Sequence, residues 1–280
     1  MKIAVTGASG FVGKALVARL REAGQDVVPL SRGDGVDYED LGAMTSRFEG
    51  ADAVVHLAAR AHRGGDDDVF AANARVARVA AQAARDAAVA RFVLVSSIGV
   101  NGNATHGKPF TEDDAPAPAE AYARSKLRSE HEVRDVLEGS ATSLVVVRPP
   151  LVDGPDAPGN MAKLRKAVVR GWPLPLASIA NRRSFIGVDN LVDFLVLCVS
   201  RGEAAGELFV VADGEDLSTP QLVRRIAKRL GKPARLFPFP PAVLVALATM
   251  LGRERAARSL CESLQVDASK ARRVLGWKPR

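Results

Sequence analysis

Short apolar runs alternate with segments of helical periodicity along most of this chain. The runs Lys2–Thr6, Asp26–Leu30, Ala53–Leu57, Arg91–Ser96, Ser143–Arg148 and Glu207–Val211 have the length and aliphatic content of strands buried on both faces. Between them, apolar positions recur three and four apart. That spacing predicts helices over Phe11–Ala23, Leu41–Phe48, Val69–Ala88, Glu120–Leu137, Val188–Val199 and Thr219–Leu230, and one near Asp267–Leu275. Strands alternating with helices predict an α/β fold with a Rossmann-like, doubly wound parallel sheet. After Arg148 proline and glycine become dense, over 149–175 and again over 233–241. This change predicts a smaller C-terminal substrate-binding lobe over the carboxyl edge of the sheet, where ligands of open α/β sheets bind. Residues 1–152, with roughly 184–212, are assigned to the sheet, and 153–183 with 213–280 to the lobe.

The first strand runs directly into Thr6-Gly7-Ala8-Ser9-Gly10-Phe11-Val12-Gly13, and the next helix opens there. Strand, glycine turn and helix N-terminus in this order form a cradle for a dinucleotide pyrophosphate. Gly7 permits a tight turn, Gly10 a close approach of backbone to phosphate, and Gly13 close packing of helix on sheet. The spacing is G-x-x-G-x-x-G. The second strand ends in Ser31-Arg32, where an acidic residue would take the adenosine ribose hydroxyls. Arg32 instead suits a 2′-phosphate, so the reading favours NADP over NAD, although Asp34 lies two residues on.

Tyr122-Ala-Arg-Ser-Lys126 stands 25 residues beyond Ser97. Four residues apart on a helix, Tyr122 and Lys126 share a face. An ammonium beside a phenol favours the phenolate. The expectation is therefore a Tyr122 pKa lowered by about two to three units from its usual value near 10, toward the range where acid–base catalysis is efficient.

Composition changes this picture little. The chain has 280 residues, a net charge of +7 and 16 prolines, within the range of soluble globular proteins. The arginines are dispersed, without the aromatic interleaving of a nucleic-acid surface, so no nucleic-acid partner is expected. Strand residues follow Met1 without a signal-peptide pattern, and two isolated cysteines suit a reducing compartment, which together imply a cytoplasmic location. The longest apolar run, Pro240–Leu251, is too short to span a bilayer and is expected to be a buried or site-covering helix, without stable membrane insertion. His56, His62, His106 and His131 lack metal-ligand spacing, and no metal is expected. Asp66-Asp67-Asp68 reads as a solvated turn. His56 reads as a packed strand-end residue, and Arg148, ahead of two prolines, as structural.

These residues together resemble an extended short-chain dehydrogenase/reductase of the NAD-dependent epimerase/dehydratase group. The resemblance runs through the glycine loop, His56-Leu-Ala-Ala59, Asn73, Ser96-Ser-Ile-Gly-Val-Asn-Gly102, Tyr122-x-x-x-Lys126, Arg148-Pro-Pro150, Asn160, Asn181–Asn190 and Asp267-Ala-Ser-Lys270 with Leu275-Gly-Trp277. Asn181–Asn190 and Ser263–Asp267 are similar to a subgroup of UDP-N-acetylhexosamine 4-epimerase-like proteins and reductases of UDP-2-acetamido-4-keto-6-deoxyhexoses. The resemblance implies that Ser97, with Ser96 as the alternative, hydrogen-bonds the sugar C4 oxygen. It implies that Tyr122 moves the proton and that Lys126 binds the nicotinamide ribose. Arg32, Asp37, Leu57, Ala58, Ala59, Asn73, Ser96 and Pro149 fall at cofactor-contact positions beside the glycine loop. Asn160, Arg183 and Arg258 fall at positions that hold the nucleotide diphosphate. Two departures stand out. Asp153-Gly-Pro replaces a frequent Tyr-Gly-Pro, and relatives usually carry one more helix beyond Gly276-Trp277-Lys278-Pro279. Ile98 and Gly99 replace the Asp-Glu pair of the dehydratases, which disfavours elimination of water. A 4-keto reductase of a UDP-linked, N-acetylated, 6-deoxy hexose is narrowly preferred; a 4-epimerase with tightly held NAD is the alternative, and an NADP-sensing binding protein a distant third. The resemblance also implies a homodimer through the helices Val69–Ala88 and Glu120–Leu137.

Overall fold

The computed structural model describes residues 1–60 and 67–280, with side chains from residue 71 onward in the helix that begins at Asp67. His62 and Asp66, and the side chains of Asp67 and Asp68, therefore lie outside the described residues.

Six parallel strands form the main sheet: β1 (Lys2–Thr6), β2 (Asp26–Leu30), β3 (Ala53–His56), β4 (Arg91–Val95), β5 (Ser143–Arg148) and β8 (Leu208–Val210), in the order β2-β1-β3-β4-β5-β8. Strand order reverses between β1 and β3, so a crevice opens past the carboxyl ends of those two strands. One face is covered by α2 (Leu41–Phe48), α3 (Asp67–Asp86) and α4 (Ala121–Leu137), which pack around Phe48, Phe92 and Leu94. α1 (Phe11–Glu22), α6 (Val188–Ser200) and α10 (Ser269–Leu275) cover the other, around Phe194, Phe209 and Trp277. Alanine at 77, 80, 81 and 84 lets α3 lie close to its neighbours.

Every strand expected from the apolar runs is present, within a residue or two at its ends. The chain beyond Arg148 holds elements that periodicity did not reveal. A three-stranded sheet is built from β6 (Leu151–Asp153), β7 (Arg183–Gly187) and β9 (Asp216–Leu217). Helices α5 (Asn160–Val169), α7 (Thr219–Arg229), α8 (Pro241–Met250) and α9 (Glu254–Cys261) accompany it; of these only α7 and the apolar α8 segment were read from the sequence. Met161, Leu164, Phe185, Leu222 and Val223 form a separate core there. The missed strands are short and carry polar or charged residues, Asp153 in β6, Arg183 and Ser184 in β7 and Asp216 in β9, so none reads as an uninterrupted apolar run.

The expected burial of the Pro240–Leu251 helix is not observed. α8 has no fully buried residue, and Leu247, Met250 and Leu251 are exposed. It has only one packed stripe because, among the described residues, no element covers its other side.

Candidate active site

Three strand ends meet at the crevice. After β1, Gly7 adopts a left-handed φ of +73°, and a Cβ there would stand 2.8 Å from the Ala58 nitrogen beyond β3. Any side chain at Gly7 would separate the two strand ends. A Cβ at Gly13 would fall on the Gly7 carbonyl oxygen and lie 2.9 Å from the Ala8 Cα, so only glycine lets α1 seat on the loop. Gly10 caps α1 without a side-chain hydrogen bond, and the first turn has no acidic residue. The leading amides of α1, those of Phe11 and Val12 among them, thus lack helical acceptors and face the crevice edge as a positive dipole end.

Tyr38, which the sequence did not single out, ties this loop to β2. Its hydroxyl accepts from the Gly7 amide at 2.9 Å and donates to the Leu30 carbonyl at 2.7 Å. The Arg32 guanidinium lies 5.7 Å from the Tyr38 ring centre, in cation–π range. Asp34, in the same turn, accepts a 2.5 Å bond from Ser31. Asp37 is exposed and accepts from the Glu39 amide at 2.9 Å.

β4 delivers Ser96 and Ser97. Ser97 opens a short 3-10 turn, its Oγ accepting from the Gly99 amide at 3.1 Å. This turn presses on α4: a Cβ at Gly99 would be 3.3 Å from the Ala123 Cβ and 3.4 Å from the Ser97 Oγ. Ser97 is thereby set beside the first turn of α4, where Tyr122 is the second residue and Lys126 follows one turn later. The Ser125 hydroxyl donates to the Tyr122 carbonyl at 2.7 Å. Asn73 on α3 donates to Ser125 at 3.1 Å and accepts from the Arg60 amide at 2.8 Å. In this structure Asn73 therefore bridges the β3 exit to α4.

The electrostatics differ from the sequence expectation. Burial pushes the Tyr122 phenol up to about 12, rather than the Lys126 charge drawing it down. Burial also lowers Lys126 to about 8, opposed by the Glu130 charge. Both shifts have one cause, since low-dielectric surroundings penalise each charged form. At neutral pH the phenol is consequently protonated and Lys126 still mostly cationic.

His56, at the end of β3, is fully buried, stacked on Phe92 at 5.9 Å, with Nδ1 3.0 Å from the Thr6 hydroxyl. Burial, then the Lys126 charge, hold its pKa down to about 3. The folded chain keeps His56 neutral where the unfolded chain protonates it, so stability falls as pH drops through the window from 6.5 toward 3. Between about pH 6.5 and pH 5 the His56 contribution amounts to roughly 2 kcal/mol. His56→Asn is expected to flatten the urea-stability profile by that amount across this interval; an unchanged slope would contradict it.

Behind the site lies a buried polar chain. Ser96 donates a short hydrogen bond to Glu130. Arg148 grips Glu130 with two nitrogens, at 3.0 and 2.6 Å, and donates to Asn101 at 3.0 Å. Asn101 donates to the Thr111 carbonyl at 2.9 Å. Arg148 is thus structural, as expected, and its partner is a carboxylate on α4 one turn beyond Lys126.

The remaining positions are dispersed differently. Leu57, Ala58 and Ala59 follow β3, and Pro149 follows β5, its carbonyl accepting from the Ile98 amide at 2.9 Å. Asn160 is exposed at the start of α5. Arg183 is partly buried and donates to the carbonyls of Ser259 and Glu262 at 2.8 and 3.1 Å. Burial lowers its pKa, with Glu262 and Glu120 opposing. Arg258 lies on the surface between Glu254 at 2.7 Å and Glu262 at 3.1 Å. Among the described residues no cluster of His, Cys, Asp and Glu could hold a metal ion.

A parallel sheet with a strand-order switch, a glycine turn at its first helix, and Ser97 after the fourth strand with Tyr122 and Lys126 on α4 define an extended short-chain dehydrogenase/reductase. Residues 3–212 match the NAD dependent epimerase/dehydratase family, and the chain belongs to that family and is an enzyme of it. It is 36% identical over 99% of its length, and 90% of the relative's, to a UDP-glucose 4-epimerase of Vibrio cholerae. It is 28% identical over its full length, and 94% of the relative's, to a dTDP-6-deoxy-L-talose 4-dehydrogenase (NAD(P)(+)) of Kitasatospora kifunensis. Among solved structures it is similar to MoeE5 in complex with UDP-glucose and NAD, with a TM-score of 0.82, 25% identity and coverage of 100% of this chain and 94% of the other.

Proposed function

We propose that this enzyme oxidises and re-reduces carbon 4 of a UDP-linked hexose, working as a 4-epimerase with a nicotinamide dinucleotide. The observation that carries the reading is the placement of Ser97 beside the first turn of α4, with Tyr122 and Lys126 one turn apart on that helix. Support comes from the similarity to the Vibrio cholerae 4-epimerase along nearly the whole chain.

The glycine cradle fits the cofactor: its uncapped helix amides suit a diphosphate, and no Cβ fills the turn. Bound there, the dinucleotide supplies the hydride acceptor and donor. Gly7, Gly10 and Gly13 with the amides of Phe11 and Val12 hold its diphosphate. Arg32 and Asp37 flank the adenosine ribose, while Leu57, Ala58, Ala59, Asn73, Ser96 and Pro149 wall the crevice. Lys126 holds the nicotinamide ribose. The Ser97 hydroxyl positions the sugar C4 oxygen. Tyr122, neutral at rest, must first release its proton to solvent, with the Lys126 charge stabilising the phenolate; the phenolate then takes the C4 hydroxyl proton on oxidation and returns it to that oxygen on re-reduction. Asn160, Arg183 and Arg258, on the smaller lobe, serve the nucleotide diphosphate. The two protomers of a homodimer meet through α3 and α4, and size-exclusion chromatography tests this.

A second reading, NADP-dependent reduction of a UDP-4-keto sugar, is favoured by Arg32, which lies over the Tyr38 ring and forms no salt bridge among the described residues. Arg32→Ala is expected to raise the Michaelis constant for NADPH by about tenfold through the lost charged contact and to affect NADH much less. Equal effects would remove the phosphate role. Incubation with UDP-glucose or UDP-N-acetylglucosamine decides between the readings. C4 inversion without added reductant, with stoichiometric nicotinamide released on denaturation, supports the epimerase. Stoichiometric consumption of NADPH by a 4-keto sugar, without inversion, supports the reductase.

A further inference from the structure

Helix α8 is apolar all round yet lies on the surface. From Leu236 to Gly252 the chain has no charged side chain. The stripe Pro241, Leu244, Val245 and Ala248 is half-buried, and Leu244 packs on the core of the smaller lobe. The opposite side presents Ala242, Val243, Ala246, Leu247, Thr249 and Met250, with Leu247 48% and Met250 84% exposed. A solvated helix face carries charged residues, and this one carries none.

The surroundings indicate what covers it. Phe237, just before α8, is exposed and pairs through its backbone with Leu174. Exposed Trp172, two residues earlier in that strand-like segment, lies under the Arg170 guanidinium at 5.1 Å. Arg235 reaches the Gly171 carbonyl at 3.4 Å. Arg253 and Arg255 stand at the far end of α8. Among the described residues no carboxylate pairs with Arg170, Lys232, Arg235, Arg253 or Arg255, whereas Arg225, Arg229 and Arg258 of the same lobe are paired. An uncharged helix face, two exposed aromatics and a rim of unneutralised cations match an anionic bilayer surface, with apolar groups at the acyl boundary and cations at the headgroups. No helix among the described residues is long and apolar enough to cross a membrane, so α8 would lie in the interface plane.

We propose that α8 and its basic rim dock this enzyme reversibly on an anionic phospholipid surface. The inference is independent of which sugar the site accepts. It is tested by co-sedimentation of the full chain with vesicles of equal parts phosphatidylglycerol and phosphatidylcholine, against phosphatidylcholine alone. The wild-type chain is expected to pellet with the anionic vesicles and to be released by salt. The Leu247→Glu/Met250→Glu double variant is expected to partition about tenfold less, with unchanged turnover in solution. Arg253→Glu/Arg255→Glu keeps the apolar face intact and is expected to lose the preference for anionic vesicles. A wild-type chain that stays in the supernatant overturns the proposal. So does a Leu247→Glu variant that converts a dimer to a monomer, since a second copy would then be the occupant.

Discussion

Tyr122→Phe is expected to lower turnover by about 10²–10⁴-fold, the range for loss of a positioned proton donor. The substitution removes one hydroxyl and leaves the ring in its half-buried place. The Ser125 bond goes to the Tyr122 backbone carbonyl, so the Asn73–Ser125 brace of α4 survives the change. The glycine cradle is formed by other strand ends and is untouched. Dinucleotide affinity should therefore stay close to that of the native chain while turnover collapses. Steady-state kinetics with equilibrium dialysis of the dinucleotide separates the two effects, and undiminished turnover would end the assignment of Tyr122 as the proton carrier.

The second large effect is on stability. Glu130→Leu is expected to cost about 3–5 kcal/mol, because it strands the Arg148 guanidinium in the interior. Both partners are almost wholly buried, with side-chain exposures of 4% for Arg148 and 2% for Glu130. Ser96 would lose its acceptor as well. A buried pair is costly to break and often cheap to replace entirely, since removing both charges also removes their desolvation penalty. The Glu130→Leu/Arg148→Leu chain should accordingly be more stable than Glu130→Leu alone. Urea denaturation measures both, and a single variant within about 1 kcal/mol of the native chain would show that the pair is not isolated from solvent.

The contrast between these two sites shows how far sequence reasoning reaches here. The placement of Tyr122 and Lys126 one turn apart on a single helix was legible because their spacing is a helical period. The parallel sheet was legible because strands buried on both faces read as uninterrupted apolar runs. The protonation state of Tyr122 was not legible. Spacing shows that an ammonium is near, but it does not show that burial outweighs it, because burial is set by tertiary packing. The Glu130–Arg148 pair joins residues on different elements, and nothing local to either marks the other. Tyr38 likewise acts through a contact with Gly7, 31 residues away. The apolar content of Pro240–Leu251 was plain in the sequence, yet its exposure was not, because hydrophobicity alone does not distinguish a covered helix from one awaiting a surface.

The central claim is that hydride leaves and returns to the sugar carbon under control of the Tyr122 phenol. A UDP-hexose carrying deuterium at carbon 4 tests it most directly. Incubation in ordinary water should yield the inverted sugar with the label retained at that carbon, and turnover should be slowed by the isotope. Loss of the label to solvent would mean proton abstraction from carbon, which Ser97, Tyr122 and Lys126 as placed here do not provide.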